Sequence, residues 1–187
     1  SIDPGAGTMQ NSANAVYAMA ANGGYAAATK RDFDNISGFL RFNNLMNKST
    51  YVNLSINERA PDATELFHAK QNSSAMMRHV GNPHLSAERH MTIELGHEGM
   101  LLGNHVQGSF FYNDVDDYVT TYRVGDVMSG TRTYKNVDAT LYGYEITAHR
   151  VIAGIDTTLN LNYTRGEDDT QNRPLPQIMP LAGDLTF

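Results

Sequence analysis

The residues with most capacity for chemistry are soft and nitrogenous. Met76-Met77-Arg78-His79 form one cluster, with His68 just before it and His84, His90, Met91, His97 and Met100 after it. Thioether sulfur and imidazole nitrogen are the donors that suit copper, Cu(I) above all. Met76, Met77 and His79 are therefore candidate metal ligands. His68, His84, His90 and Met91 are further candidates for contact with a substrate. Methionines and histidines in a loop are also commonplace, and His97 shares its face of a strand with Ile93 and Leu95. No His-Glu-x-x-His or other catalytic spacing occurs. Asn22-Gly23-Gly24 lacks the lysine of a phosphate loop. Nothing in the sequence calls for an enzyme or a resident cofactor.

These side chains must be carried by strands. Val52, Leu54 and Ile56 alternate with Asn53, Ser55 and Asn57. Val106, Gly108, Phe110 and Tyr112 alternate with Gln107, Ser109, Phe111 and Asn113. Tyr142, Tyr144, Ile146 and Ala148 alternate with Leu141, Gly143, Glu145 and Thr147, and Leu159, Leu161 and Tyr163 with Thr158, Asn160 and Asn162. Weaker versions run through Gly38 to Asn43 and Thr92 to Gly96. A period of two means strands with one face against apolar surroundings and the other wet. A soluble antiparallel sheet gives the same alternation. Three details favour a membrane barrel: wet faces rich in Asn, Ser, Thr and Gln, tyrosines placed near strand ends, and uneven connections. The connection from Arg59 to Arg89 is long and polar, whereas that from Gly99 to Asn104 is short.

Composition narrows the classes. With 20 acidic against 14 basic side chains, the net charge is -6, and no basic patch is present for nucleic acid. The mean hydropathy of -0.42 and the absence of roughly 18 consecutive apolar residues exclude a spanning helix but not a barrel strand. No cysteine is present, so disulfides and thiolate sites are excluded. No signal peptide opens the chain. Residues 1–33 read as a loop or leader segment rich in Ala, Gly and Asn, and 34–187 as barrel.

Five phrases carry a resemblance. Glu58-Arg59-Ala60-Pro61-Asp62-Ala63-Thr64-Glu65-Leu66-Phe67 resembles the ER-x-P-x-x-x-E-L signature of TonB-dependent receptors. Gly81-Asn82-Pro83-His84-Leu85-Ser86-Ala87-Glu88 is similar to that family's GNPxLxPE, with Ala87 where the family has proline. Phe110 to Val119 resembles FYxDVxDYI. Tyr134-Lys135-Asn136, with Gly143-Tyr144-Glu145, resembles a strand pair of the family. Asn162-Tyr163-Thr164, with Pro174-Leu175-Pro176-Gln177-Ile178-Met179-Pro180-Leu181, resembles its NYT…PLPQIPPL stretch. They occur in the family's order from about Gly38 to Gly183.

The resemblance implies an all-β fold: part of an antiparallel transmembrane β-barrel of twenty-two strands, in the bacterial outer membrane, without the N-terminal plug domain. Eight to ten of those strands are expected here. It also implies import energised by the TonB protein through the missing plug, of a metal or metal chelate, with wording closest to the copper-receptor branch. A siderophore or vitamin receptor of the same family, or a structural outer-membrane β-protein, is the alternative. Copper or a chelate would be cargo, and lipid the surrounding partner. Glu145, Asn53, Gln107 and Asn113 are expected to face the lumen. Each phrase also has a local physical reading: Pro61 and Pro83 belong in turns, where a fixed φ and a missing donor are harmless, and Asn113-Asp114 and Asp116-Asp117 at the wet end of a strand, where carboxylates keep their hydration.

Overall fold

The computed structural model describes residues 30–45, 49–70, 79–124, 131–179 and 181–187. Met76, Met77 and residues 1–29 of the opening segment lie outside the described residues. The elements are β1 (Ser37–Leu45), β2 (Thr50–Arg59), α1 (Ala63–Phe67), β3 (Ala69–Lys70), β4 (His79–Val80), β5 (Glu88–Leu101), β6 (Asn104–Val124), β7 (Thr131–Ile152), β8 (Ile155–Asp168), β9 (Arg173–Pro174) and β10 (Ala182–Thr186). All ten strands join one sheet, in the order β1-β2-β5-β6-β7-β8-β10, with β9 also on β8 and β3 joined through β4 to β7. The β1–β2, β3–β4, β5–β6, β7–β8, β8–β9 and β8–β10 pairings are antiparallel, whereas His79 of β4 meets Arg132 of β7 in parallel. Among the described residues, β1 and β10 do not pair with each other, so the sheet is unclosed. Among the described residues, no helix is long and apolar enough to cross a membrane.

The chain divides into two compact units. One, the sheet unit, comprises Ile36–Asn57, Arg89–Asp116 and Asp138–Phe187; the other, the α1 unit, comprises Glu58–Glu88, Asp117–Val137 and the chain up to Asn35.

In the sheet unit, register turns the sequence alternation into two chemically distinct faces. Leu40 lies opposite Leu54, Ile93 opposite Tyr112, Leu95 opposite Phe110 and Ile146 opposite Leu161. These apolar residues stay open: Leu40 is 64% exposed, Leu95 52% and Phe110 56%. Phe110, Tyr144 and Tyr163 stack in sequence across β6, β7 and β8, with centroids 6.3 and 5.7 Å apart. This ladder lies well inside strands of 21 and 22 residues. Tyr51, Tyr122 and Tyr134 do lie near the ends of β2, β6 and β7, whereas Tyr144 and Tyr163 of this ladder lie well inside β7 and β8.

On the opposite face, Tyr51 donates to Glu94 Oε1 at 2.7 Å and Asn53 to Glu94 Oε2 at 3.5 Å, while the Arg41 guanidinium lies 3.7 Å above the Tyr51 ring. Thr92 bonds Asn113 at 3.0 Å. Asn53, Gln107, Asn113 and Glu145 all fall on this polar face by register. Tyr51 lies across Gly96 and Phe111 across Gly143, where a Cβ would collide with each ring. Glycine at both positions makes room for the neighbouring aromatic. Two-residue turns close the β5–β6 and β7–β8 hairpins. Leu102 and Gly103 have φ of 51° and 79°, and Ala153 and Gly154 have 53° and 83°. Positive φ at both positions matches the twist of the flanking strands.

The α1 unit is organised the other way, with its apolar residues inside. Leu66, Leu85 and Val119 form a buried cluster against which Phe33, Phe67 and Tyr134 pack. Burying a leucine contributes about 1.5–3 kcal/mol. Helix α1 has five residues, too few to persist alone. Asp62 caps it, accepting from Glu65 N–H at 2.7 Å, while the Glu65 carboxylate accepts from Asp62 N–H at 2.8 Å. Pro61 is buried just ahead of this cap, and Pro83 lies in a turn. Asp114, Asp116 and Asp117 lie within β6, which runs on to Val124. The expected strand end there is instead an irregularity, marked by the φ of 59° at Asp117, whose carbonyl accepts from Asn136 at 2.5 Å.

Candidate functional site

In the α1 unit, local chain geometry brings two imidazoles together. His68 is the C-cap of α1, and His79 opens β4. The short β3–β4 pairing sets Ala69 against Val80 and Lys70 against His79. The His68 and His79 rings meet edge to face, with centroids 5.3 Å apart, and Tyr134 of β7 stacks on His79 at 5.0 Å. His79 Nε2 is buried with no hydrogen-bond partner among the described residues. Burial, then the nearby His68, then Arg132 push the His79 pKa below its ordinary value. All three disfavour the imidazolium, so the ring is kept neutral, the form in which histidine binds metal.

Of the other candidates from the sequence, His84 is exposed, its backbone N–H donating to Asn82 Oδ1 at 2.9 Å. His90 and Met91 belong to the sheet unit and project to opposite faces. His90 Nδ1 lies 3.1 Å from Asn113 Nδ2, whereas Met91 lines an apolar groove with Phe39, Leu54 and Ile93. Adjacent residues of a strand cannot converge on one small ligand. Among the described residues, no group of three or more His, Asp or Glu side chains could hold a metal ion. His68 and His79 are thus the two candidates that the fold brings into contact.

The signature phrases meet here as well. Arg59 makes a bidentate pair with Glu88, at 2.8 and 2.7 Å, and a second with Glu65, at 3.0 and 3.2 Å. Glu88 is only 2% exposed and also accepts from Val119 N–H at 2.7 Å. Its carboxylate and the Glu65 carboxylate hold the Arg59 pKa above its ordinary range, the Glu88 hydrogen bonds being the largest cause. Reading the phrases one by one missed this triad, and it missed Tyr134 as a neighbour of His79. The signal was present in the charged letters of two phrases, E-R…E-L and GNP…E, which are 29 residues apart from Arg59 to Glu88.

The polar-and-apolar sheet and these phrases agree with a direct comparison. The family model described as TonB dependent receptor-like, beta-barrel matches residues 10–187. The chain belongs to the TonB-dependent receptor family. The family is one of transport receptors, and its fold is a β-barrel, which accounts for a sheet with exposed leucines on one face and hydrogen-bonded polar residues on the other. The solved structure titled "Copper transporter OprC" is similar with a TM-score of 0.65 and 27% identity, over 80% of this chain and 23% of that one. The siderophore receptor PirA from Pseudomonas aeruginosa is similar with a TM-score of 0.53 and 19% identity, over 74% of this chain and 28% of that one. The second likeness speaks to the fold alone. The chain therefore spans about a quarter of the length of these solved receptors. A comparison with curated proteins by sequence gives no match.

Proposed function

We propose that this chain is part of the barrel wall of an outer-membrane receptor for TonB-energised import of a metal or metal chelate, with copper as the cargo. Family membership supports the receptor. The apolar face would meet lipid, the polar face would line the lumen, and TonB would act through a plug domain beyond this chain. The observation that carries copper is the contact between His68 and His79, with a buried Nε2 that has no hydrogen-bond partner among the described residues, on a ring biased toward its neutral form. Imidazole pairs suit Cu(I), and thioethers suit it further, so Met76 and Met77, three and two residues before His79, complete the candidate donor set. The likeness to a copper transporter at 27% identity points the same way.

The test is metal binding to the intact receptor in detergent. Calorimetry and anaerobic competition against a Cu(I) chelator would compare Cu(I), Cu(II), Zn(II) and an iron chelate, in wild type and in the H68A, H79A and M76A/M77A variants. Selective Cu(I) binding, weakened at least about tenfold in H79A, is the expected result. At His79, protons should compete with the metal only below the ordinary histidine value of about 6.5, because its pKa lies lower still. The His79 contribution to affinity, read as the difference between wild type and H79A, should therefore hold from neutral pH down to about 6.5 and fall beneath it. Binding that ignores all the variants, or that shows no preference for copper, would sink the reading.

A further inference from the structure

The two imidazoles come from separate elements, so something must hold those elements at contact distance. The segment after His79 does this at three points. Gly81 N–H donates to His68 O at 2.7 Å, and Asn82 N–H to Glu65 O at 2.6 Å. Asn82 Nδ2 donates to Tyr134 O at 2.9 Å, on the residue whose ring stacks on His79. Gly81 is buried, and a Cβ built on it would stand 2.5 Å from Leu66 C and Phe67 N and 2.7 Å from His68 N. Those are backbone atoms of α1 and its cap, not yielding side-chain tips. Helix α1 is itself clamped through the Arg59–Glu65 pair. A methyl at position 81 would therefore displace β4 rather than α1, and His79 would move with it.

We propose that Gly81 and Asn82 are positioning residues for metal binding, holding the His68 and His79 rings at ligating distance from each other. This inference rests on the copper reading. It gives the Gly-Asn-Pro phrase a task beyond that of a turn. Gly81 permits the close approach, and Asn82 ties the hairpin to Tyr134.

The experiment uses the intact receptor in detergent, with Cu(I) affinity and the electron paramagnetic resonance of the Cu(II)-loaded protein as readouts. G81A should bind Cu(I) at least about tenfold more weakly, and its Cu(II) spectrum should change from two coupled imidazole nitrogens to one. N82D keeps the size of Asn82 and its acceptor for His84 N–H but loses the donor to Tyr134 O. It should show a smaller loss in the same direction. If G81A does not fold into a barrel, N82D carries the test alone. Wild-type protein that binds no copper, or binds it without His68 and His79, overturns the copper reading and this inference with it. Wild-type binding through both histidines, with G81A and N82D unchanged in affinity and spectrum, overturns this inference alone.

Discussion

The sheet unit and the α1 unit solve opposite problems with the same amino acids. In the sheet unit leucines point outward: Leu40, Leu95 and Leu185 are more than half exposed, while Glu94, Asn53, Thr92 and Asn113 bond one another on the other face. In the α1 unit Leu66 and Leu85 are completely buried, and the buried Glu88 carboxylate is paired with Arg59. The sheet unit makes sense only if its apolar face meets something apolar, and in this family that is lipid. An exposed leucine thus has no fixed meaning until the solvent outside it is known.

That contrast can be broken most forcefully at Arg59. Replacing it with alanine removes both guanidinium bonds to the buried Glu88 carboxylate, and removing one partner of a buried pair costs about 3–5 kcal/mol, the lower end applying because Glu88 keeps other partners, the Val119 N–H among them. Proteolysis of the reconstituted receptor should become faster within 58–88, with the barrel strands unaffected. Equal protection in the variant would mean that the triad is not what secures this unit.

Leu95→Arg sharpens the other half. On a water-facing sheet a half-exposed leucine would accept arginine within about 0.5 kcal/mol. On a lipid-facing strand near the bilayer middle the same change costs about 2–4 kcal/mol. Unfolding titrations in lipid vesicles would separate the two, and a near-zero cost would remove lipid from that face.

The smallest expected effect lies in the β5–β6 turn. Leu102 holds a φ of 51°, an uncommon conformation for leucine, directly before Gly103 at 79°. Asn at that position suits the turn, so Leu102→Asn should stabilise the hairpin by about 0.4–1 kcal/mol in the same vesicle titrations. A loss of stability would show that the Leu102 side chain gains more from its apolar surroundings than the turn loses in strain.

Much of the sheet was legible because a strand facing two different media must alternate, and β2, β5, β6, β7 and β8 do so over their middles. Their full length was not legible. In Asp114 to Tyr118 the acidic residues break the pattern, although β6 continues through them by pairing with β5 as far as Asp116. The site was legible only as a composition. Seven candidates were named on donor chemistry, and chemistry cannot tell which side chains meet. His90 and Met91 are neighbours in sequence yet face opposite ways, whereas His68 and His79, eleven residues apart in sequence, touch.

By itself, then, the sequence determined the class of fold, the family and the soft-donor inventory, because periodicity and ordered phrases are properties of the linear chain. Only the tertiary structure decided that Arg59, Glu65 and Glu88 are one ionic unit, that Tyr134 lies on His79, and that Gly81 must be a glycine. Those facts depend on which backbones approach within a few ångströms, and that distance is set by packing and hydrogen bonding between segments far apart in the chain.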